Sequence, residues 1–174
     1  MAPPAALDAL DVDLLRAVRD HPRVGVLQLS RLLGVARGTA QARLDRLERD
    51  GVITGYGPDI ALVAAGFPVQ AFVTLEIAQG DLAEAAAELN AVEAVLEAYT
   101  TTGDGDVLCR VTAASHEDLQ AVLLTLNRLP TIGRSTSVVT LSVVVEPRVL
   151  PLLERQPRPG PSRAPAYRSM RAGS

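Results

Sequence analysis

Pro22, Gly34 and Gly51 cut the first 54 residues into three leucine-bearing pieces, and this punctuation limits the fold more than any other feature. In "LDALDVDLLRAVRDH", Leu10, Leu14, Leu15 and Val18 recur at helical spacing, and Asp11 is placed to cap the start. Pro22 cannot continue a helix, so the first helix ends near His21. "VGVLQLSRLLG" repeats the pattern through Leu29, Leu32 and Leu33, and Gly34 then suits a tight turn with positive φ. A third helix follows Gly34-Val35, with Ala40, Leu44 and Leu47 facing inward and Gly51 ending it. Two helices joined by a short glycine turn, behind a supporting helix, form the pattern of a helix-turn-helix. "VITGYGPDI" then reads as a strand or hairpin arm.

A helix-turn-helix assigns work to its second helix, whose N-terminal part faces base edges in the major groove. Here that part is Arg37, Gly38, Thr39 and Gln41. Arginine pairs in bidentate fashion with guanine, and glutamine with adenine. Gly38 and Ala42 keep the backbone close to the groove, and Arg43 and Arg46 are expected to reach phosphates from further along. Asp45, Glu48 and Asp50 read instead as a solvated face.

Charge confines such a surface to the two ends of the chain. Residues 1–60 carry eight arginines and eight acids, residues 61–147 three and eleven, residues 148–174 six and one. The acidic middle would repel phosphate. With 3% aromatic residues, base-stacking platforms for single strands are not expected. Cys109 is the one cysteine, which excludes an intramolecular disulfide and a cysteine-built zinc site. No basic-then-apolar leader opens the sequence, and no apolar run approaches bilayer length. A soluble cytoplasmic protein is the expectation.

From residue 68 the period changes. "PVQAFVTLEIA" is a strand, "DLAEAAAELNAV" a helix, "AVLEAYTTTG" and "GDVLCRVTA" two strands joined by a glycine-aspartate turn. "SHEDLQAVLLTLNRL" is a helix capped by Ser115, with Asp118 at the capping-box position, and "STSVVTLSVVVE" a last strand. The order βαββαβ predicts a ferredoxin-like α+β domain with helices on one sheet face. Val139, Leu141, Val143 and Val145 offer an alternating apolar face that needs covering.

"LDALDVDLLRAVRDHPRVGVLQLSRLLGVA" with "RLDRLERDGVITGY" resembles the N-terminal motif of the Lrp/AsnC (leucine-responsive and asparagine-regulator) family of bacterial and archaeal transcription factors. The D-x-R tripeptide of that motif has its counterpart in Asp20-His21-Pro22-Arg23, with one extra residue, and "LVAAGFPVQAFVTLEI" resembles the family's passage into its second domain. The resemblance covers residues 7–147. It departs at Ala36-Arg37, where the family has Ser then Pro, so the helix lacks a side-chain cap worth about 0.5–2 kcal/mol.

The resemblance implies a winged-type helix-turn-helix over residues 1–54, a strand and linker over 55–67, and a regulatory βαββαβ domain over 68–147. It implies double-stranded DNA as partner, an amino-acid effector, and homodimers able to assemble into octamers. Gly103-Asp104-Gly105-Asp106 matches the family's G-D-x-D loop. Thr102, Gly103, Asp104 and Asp106 are thereby implied to line an effector site between subunits, opposite Thr131, Gly133 and Arg134. By itself the loop reads only as a turn whose glycines take positive φ. Residues 148–174, rich in proline and arginine, extend past the family's usual end and read as a disordered basic tail. Deleting residues 155–174 would flatten the salt dependence of DNA binding if Arg155, Arg158, Arg163, Arg168 and Arg171 touch phosphate.

Catalytic, metal and cofactor sites are not expected. His21 and His116 sit at helix ends, and Cys109 alternates with Val107 and Val111 as a buried thiol. "GDGD" lacks the helix and acidic partner of a dinucleotide fingerprint. Two other readings remain: a sirohaem decarboxylase-like enzyme on the same fold, and a global architectural DNA-binding protein without an effector.

Overall fold

The structure, a computed structural model, describes residues 6–155, which form two compact units. One joins residues 6–58 with 147–155; the other spans 59–146.

The N-terminal unit holds α1 (Ala9–Asp20), α2 (Val26–Leu32) and α3 (Arg37–Arg49). Its core is Leu14, Leu29, Leu44 and Leu47, with Val18, Leu33 and Ile53 packed around them. Gly34 and Gly51 have φ of 65° and 69°, the left-handed turns that end α2 and α3. Ala40 is buried with Leu44 and Leu47, as the spacing predicts, but Leu32 is half exposed. The α1 cap also differs. Asp8, not Asp11, is the N-cap; Asp11 closes a reciprocal capping box from the third helical position.

The strand expected over residues 52–60 does not form. That stretch contains Gly55, Gly57 and Pro58, and among the described residues of the unit no strand supplies ladder partners. The basic tail starts as structure rather than disorder. Leu150–Arg155 form a short helix, α6, packed on α1, where Arg16 donates to Glu154 at 3.1 and 2.9 Å. The remaining tail arginines, Arg158, Arg163, Arg168 and Arg171, lie outside the described residues.

The second unit is the expected βαββαβ arrangement: β1 (Val69–Ile77), α4 (Leu82–Asn90), β2 (Val95–Thr100), β3 (Val107–Ala113), α5 (His116–Asn127) and β4 (Ile132–Val139). The sheet order is β2-β3-β1-β4, every neighbouring pair antiparallel. Alternation sets the core. Val69, Ala71, Val73 and Leu75 of β1, with Val107, Cys109 and Val111 of β3, face Leu89 of α4 and Leu119 and Leu126 of α5. Burial pushes the Cys109 thiol up to about 11, so it packs as an inert apolar group.

β4 ends earlier than its sequence implies. Its last bonds pair Val139 with Ala71 and Thr140 N–H with the Gln70 carbonyl at 2.8 Å. Beyond that point β1 has run out at Pro68, which has no N–H to offer. Leu141 and Val144 are consequently 98% and 90% exposed in the single chain.

Candidate nucleic-acid interface and ligand site

α3 starts at Arg37 after Ala36, whose extended backbone (φ −64°, ψ 145°) provides the turn but no capping side chain. Thr39 N–H turns back to the Ala36 carbonyl at 3.0 Å, and the Arg37 and Gly38 N–H groups have no capping side chain, a start that suits an anion. Arg37, Gly38 and Gln41 are exposed and Thr39 half-buried, on the side of the helix not taken by Ala40, Leu44 and Leu47. Gln41 Nε2 donates to Asp45 Oδ1 at 2.7 Å along the helix, a bond open to exchange with solvent or a base edge. A Cβ built on Gly38 meets nothing within 4 Å. Among the described residues, no contact demands glycine there. Asp45, Glu48 and Asp50 are exposed as expected, and Glu48 accepts from the Tyr56 hydroxyl. Burial, with the Glu48 carboxylate second, raises Tyr56 to about 12.

The phosphate assignment of Arg43 fails on geometry. Arg43 does not point outward: its side chain is 15% exposed, and Nη1 donates to both Asp8 oxygens at 2.8 Å and to Asp11 Oδ1 at 2.7 Å. Arg46 donates through Nη2 to the other Asp11 oxygen while keeping its side chain 38% exposed. Asp11 is wholly buried. Burial alone would raise its carboxyl, but the Asp8 backbone N–H and the two guanidinium groups outweigh this and hold it below the usual aspartate value. Sequence reasoning missed this cluster. The available signal was a matched spacing: acids three apart at Asp8 and Asp11, arginines three apart at Arg43 and Arg46.

In the other unit, loop 101–106 joins β2 to β3 and is tied down by its backbone. Thr101 N–H donates to the Asp106 carbonyl at 3.0 Å, and the Thr101 hydroxyl to the Gly105 carbonyl at 2.8 Å. Asp106 N–H donates to the Leu75 carbonyl at 2.9 Å, and its carboxylate accepts from Ile77 N–H at 2.8 Å. Gly103 has φ of 138°, and a Cβ on Gly105 would overlap Thr74 Cγ2. Thr102, Gly103 and Asp104 are left exposed at the tip.

The second predicted segment reaches the same place from the opposite side. Ala78 N–H donates to the Thr131 carbonyl at 2.9 Å, and a Cβ on Gly133 would strike Ala78 Cβ. Arg134 is exposed beside its cross-strand partner Glu76, at 3.8 Å. Loop 101–106 and residues 131–134 thus flank the end of β1, where the ladder shifts register between Glu76 and Ile77. Thr131 departs from the expectation of an open wall. It is 4% exposed, and its hydroxyl donates to Glu88 of α4 at 2.6 Å. Cavities of about 350 and 190 Å³ lie elsewhere, against α1 and α2, the smaller also touching Gln41 and Tyr56.

Comparison with known proteins agrees with both halves. Residues 7–54 match a family model described as winged helix-turn-helix DNA-binding, and residues 70–150 match the Lrp/AsnC ligand binding domain. Regulatory protein AsnC of Escherichia coli is 32% identical over 142 residues, covering 81% of this chain and 92% of AsnC. The solved structure of E. coli AsnC superposes with a TM-score of 0.78 at 26% identity, over 84% of this chain and all of that one. A Neisseria meningitidis transcriptional regulator, solved as its L-Met complex, shares the fold with a TM-score of 0.74 at 21% identity, over 80% of this chain and 93% of its own. Among the described residues, no helix is long and apolar enough to cross a membrane. With a DNA-binding helix-turn-helix in one unit and a ligand-binding domain in the other, the chain belongs to the Lrp/AsnC family of transcriptional regulators.

Proposed function

We propose that the chain reads DNA through the start of α3, with Arg37 and Gln41 at base edges and Gly38 and Thr39 against the backbone, and that an amino acid binding beside loop 101–106 modulates this. The supporting observation is that Arg37, Gly38 and Gln41 stand clear of the core at an uncapped helix start, on the second helix of the pair. Changing Arg37 to Ala should weaken binding to the cognate site by about 1–3 kcal/mol and blur its selectivity. Gel shifts on the DNA upstream of the chain's own gene, with random DNA alongside, measure this. Equal weakening on both would count against base readout.

The effector reading is supported by mixed charge at the end of β1. Glu76 can meet an ammonium group and Arg134 a carboxylate at the end of β1, and Asp104 is exposed on the loop that Asp106 ties to that end. Asp106 and Gly133 shape that neighbourhood, and Thr131 supports it from beneath. Methionine goes first in a thermal-shift screen of amino acids, because the fold is shared with a protein solved as its L-Met complex. A true effector raises the melting temperature in proportion to the logarithm of its concentration above Kd.

The active form is a homodimer in the cytoplasm, able to build larger rings, and it regulates rather than catalyses. Phe72, Tyr99 and Val138 are exposed on the sheet, and the apolar run after β4 is unpaired in the single chain. A second copy covers both by isologous pairing. Sedimentation of the intact chain checks this, a monomer at micromolar concentration being the adverse result.

A further inference from the structure

Arg46 and Arg43 share one buried carboxylate but differ in what they leave free. Arg43 is nearly enclosed, and its Nη1 spans Asp8 and Asp11. Arg46 spends only Nη2 on Asp11, and its side chain is 38% exposed. A guanidinium carries five N–H donors in a rigid plane, so most of the Arg46 fork has no partner among the described residues. Asp11, wholly buried on α1, fixes one edge of that plane. The rest of the guanidinium belongs to a partly exposed side chain on the recognition helix itself.

We infer that Arg46 is a preorganised contact to a DNA backbone phosphate, oriented by Asp11 as its positioning residue, and that Arg43 is an internal pin that touches no DNA. This rests on the reading of α3 as the DNA-facing helix. A long arginine ordinarily loses rotamer freedom on binding; here the fold has already removed it. A fork with one edge on a carboxylate and the other on a phosphate is geometry that lysine, a point charge, cannot copy. The four side chains balance, two acids against two arginines, so the cluster provides directed donors rather than a broad positive field. Such a contact sets register on the duplex and carries no base preference.

The test is the salt dependence of binding by the intact chain, on its upstream DNA and on random DNA. Each neutralised phosphate contributes a slope of about 0.9 in log K against log salt. Arg46→Gln should lower the slope by about one on both DNAs. Arg43→Gln should leave it unchanged. Arg46→Lys should keep the wild-type slope yet weaken binding several-fold on every sequence, because charge remains and the fork does not. In Asp11→Asn, Arg46→Gln should cost less than in the wild type. Thermal midpoints are recorded for each variant, and binding is measured well below them. If Asp11→Asn does not fold, the contrast among the three arginine variants still decides. A wild-type slope in Arg46→Gln, or an equal drop in Arg43→Gln, overturns the inference while leaving DNA binding intact. A wild type that binds neither DNA at any salt overturns the DNA reading as well.

Discussion

The two units hold their working parts by different means. The recognition helix is fastened to α1 by charged side chains: Asp8 and Asp11 on one helix, Arg43 and Arg46 on the other. The ligand loop is fastened to β1 by backbone bonds and by close approach, with Asp106 tied to Leu75 and Ile77, and Gly105 lying against Thr74. Ionic fastening depends on protonation state; a backbone seam depends on the absence of a Cβ. The units should therefore fail under different insults.

The largest effect is expected at Asp11. Asp11→Asn removes a wholly buried charge that faces two guanidinium groups and leaves the enclosed Arg43 with Asp8 as its carboxylate partner; unbalancing a buried ionic cluster in this way costs more than the cluster's net worth. We expect a loss of about 3 kcal/mol in the N-terminal unit, measured by denaturant unfolding. The pH dependence follows from the same carboxyl. Its folded value lies below the unfolded one, so its stabilisation is complete above the ordinary aspartate range and is lost as pH falls through the lower, folded value. Acid should loosen the helices from about pH 4 downward, before the sheet. Asp11→Asn should abolish that difference. Equal acid sensitivity of the two units in the wild type would mean that the ionic cluster does not govern the first.

Gly105→Ala attacks the other fastening. The new methyl would overlap Thr74 Cγ2 and lie 3.3 Å from the Leu75 carbonyl oxygen, so Thr74 or the loop must shift. Overpacking of this kind costs about 1–3 kcal/mol. It should lower the stability of the ligand-binding unit with no change in its acid profile. Loop amides from 101 to 106 should exchange faster with deuterium. An unchanged exchange pattern would show that the loop does not need its close contact with β1.

What sequence could show follows the same division between local and distant causes. Gly34 and Gly51 ended their helices where the period stopped, because a left-handed turn is decided by a few neighbouring residues. The sheet was readable from alternation along β1 and β3. The missing strand at 52–60 and the early end of β4 depend on which strand stands alongside, and alternation carries no information about that. Val139 to Val145 alternate well, yet β1 begins at Val69, and Pro68 before it has no N–H to extend the ladder. The inward place of Arg43 is legible in its spacing. It lies three residues after Ala40 and four before Leu47, beside the buried stripe, where an arginine needs a carboxylate facing it. Thr131 matched the family's site by position, but its partner Glu88 lies 43 residues away, out of reach of any local pattern.

The smallest expected change in stability is the one that best separates folding from DNA reading. Gly38 lies inside the first turn of α3 with helical backbone and empty space around it. Glycine at a helical position is less stable than alanine by roughly 0.5–1 kcal/mol, and here no contact among the described residues offsets that cost. Gly38→Ala should therefore leave the unit as stable as before or slightly more so. If Gly38 sits against the sugar-phosphate backbone, the added methyl occupies space the duplex needs, and affinity should fall on specific and random DNA alike. Melting curves and gel shifts on one preparation give both answers. Gained stability with lost affinity places the need for glycine in the complex and not in the fold, whereas gained stability with unchanged affinity moves the contact surface away from the start of α3.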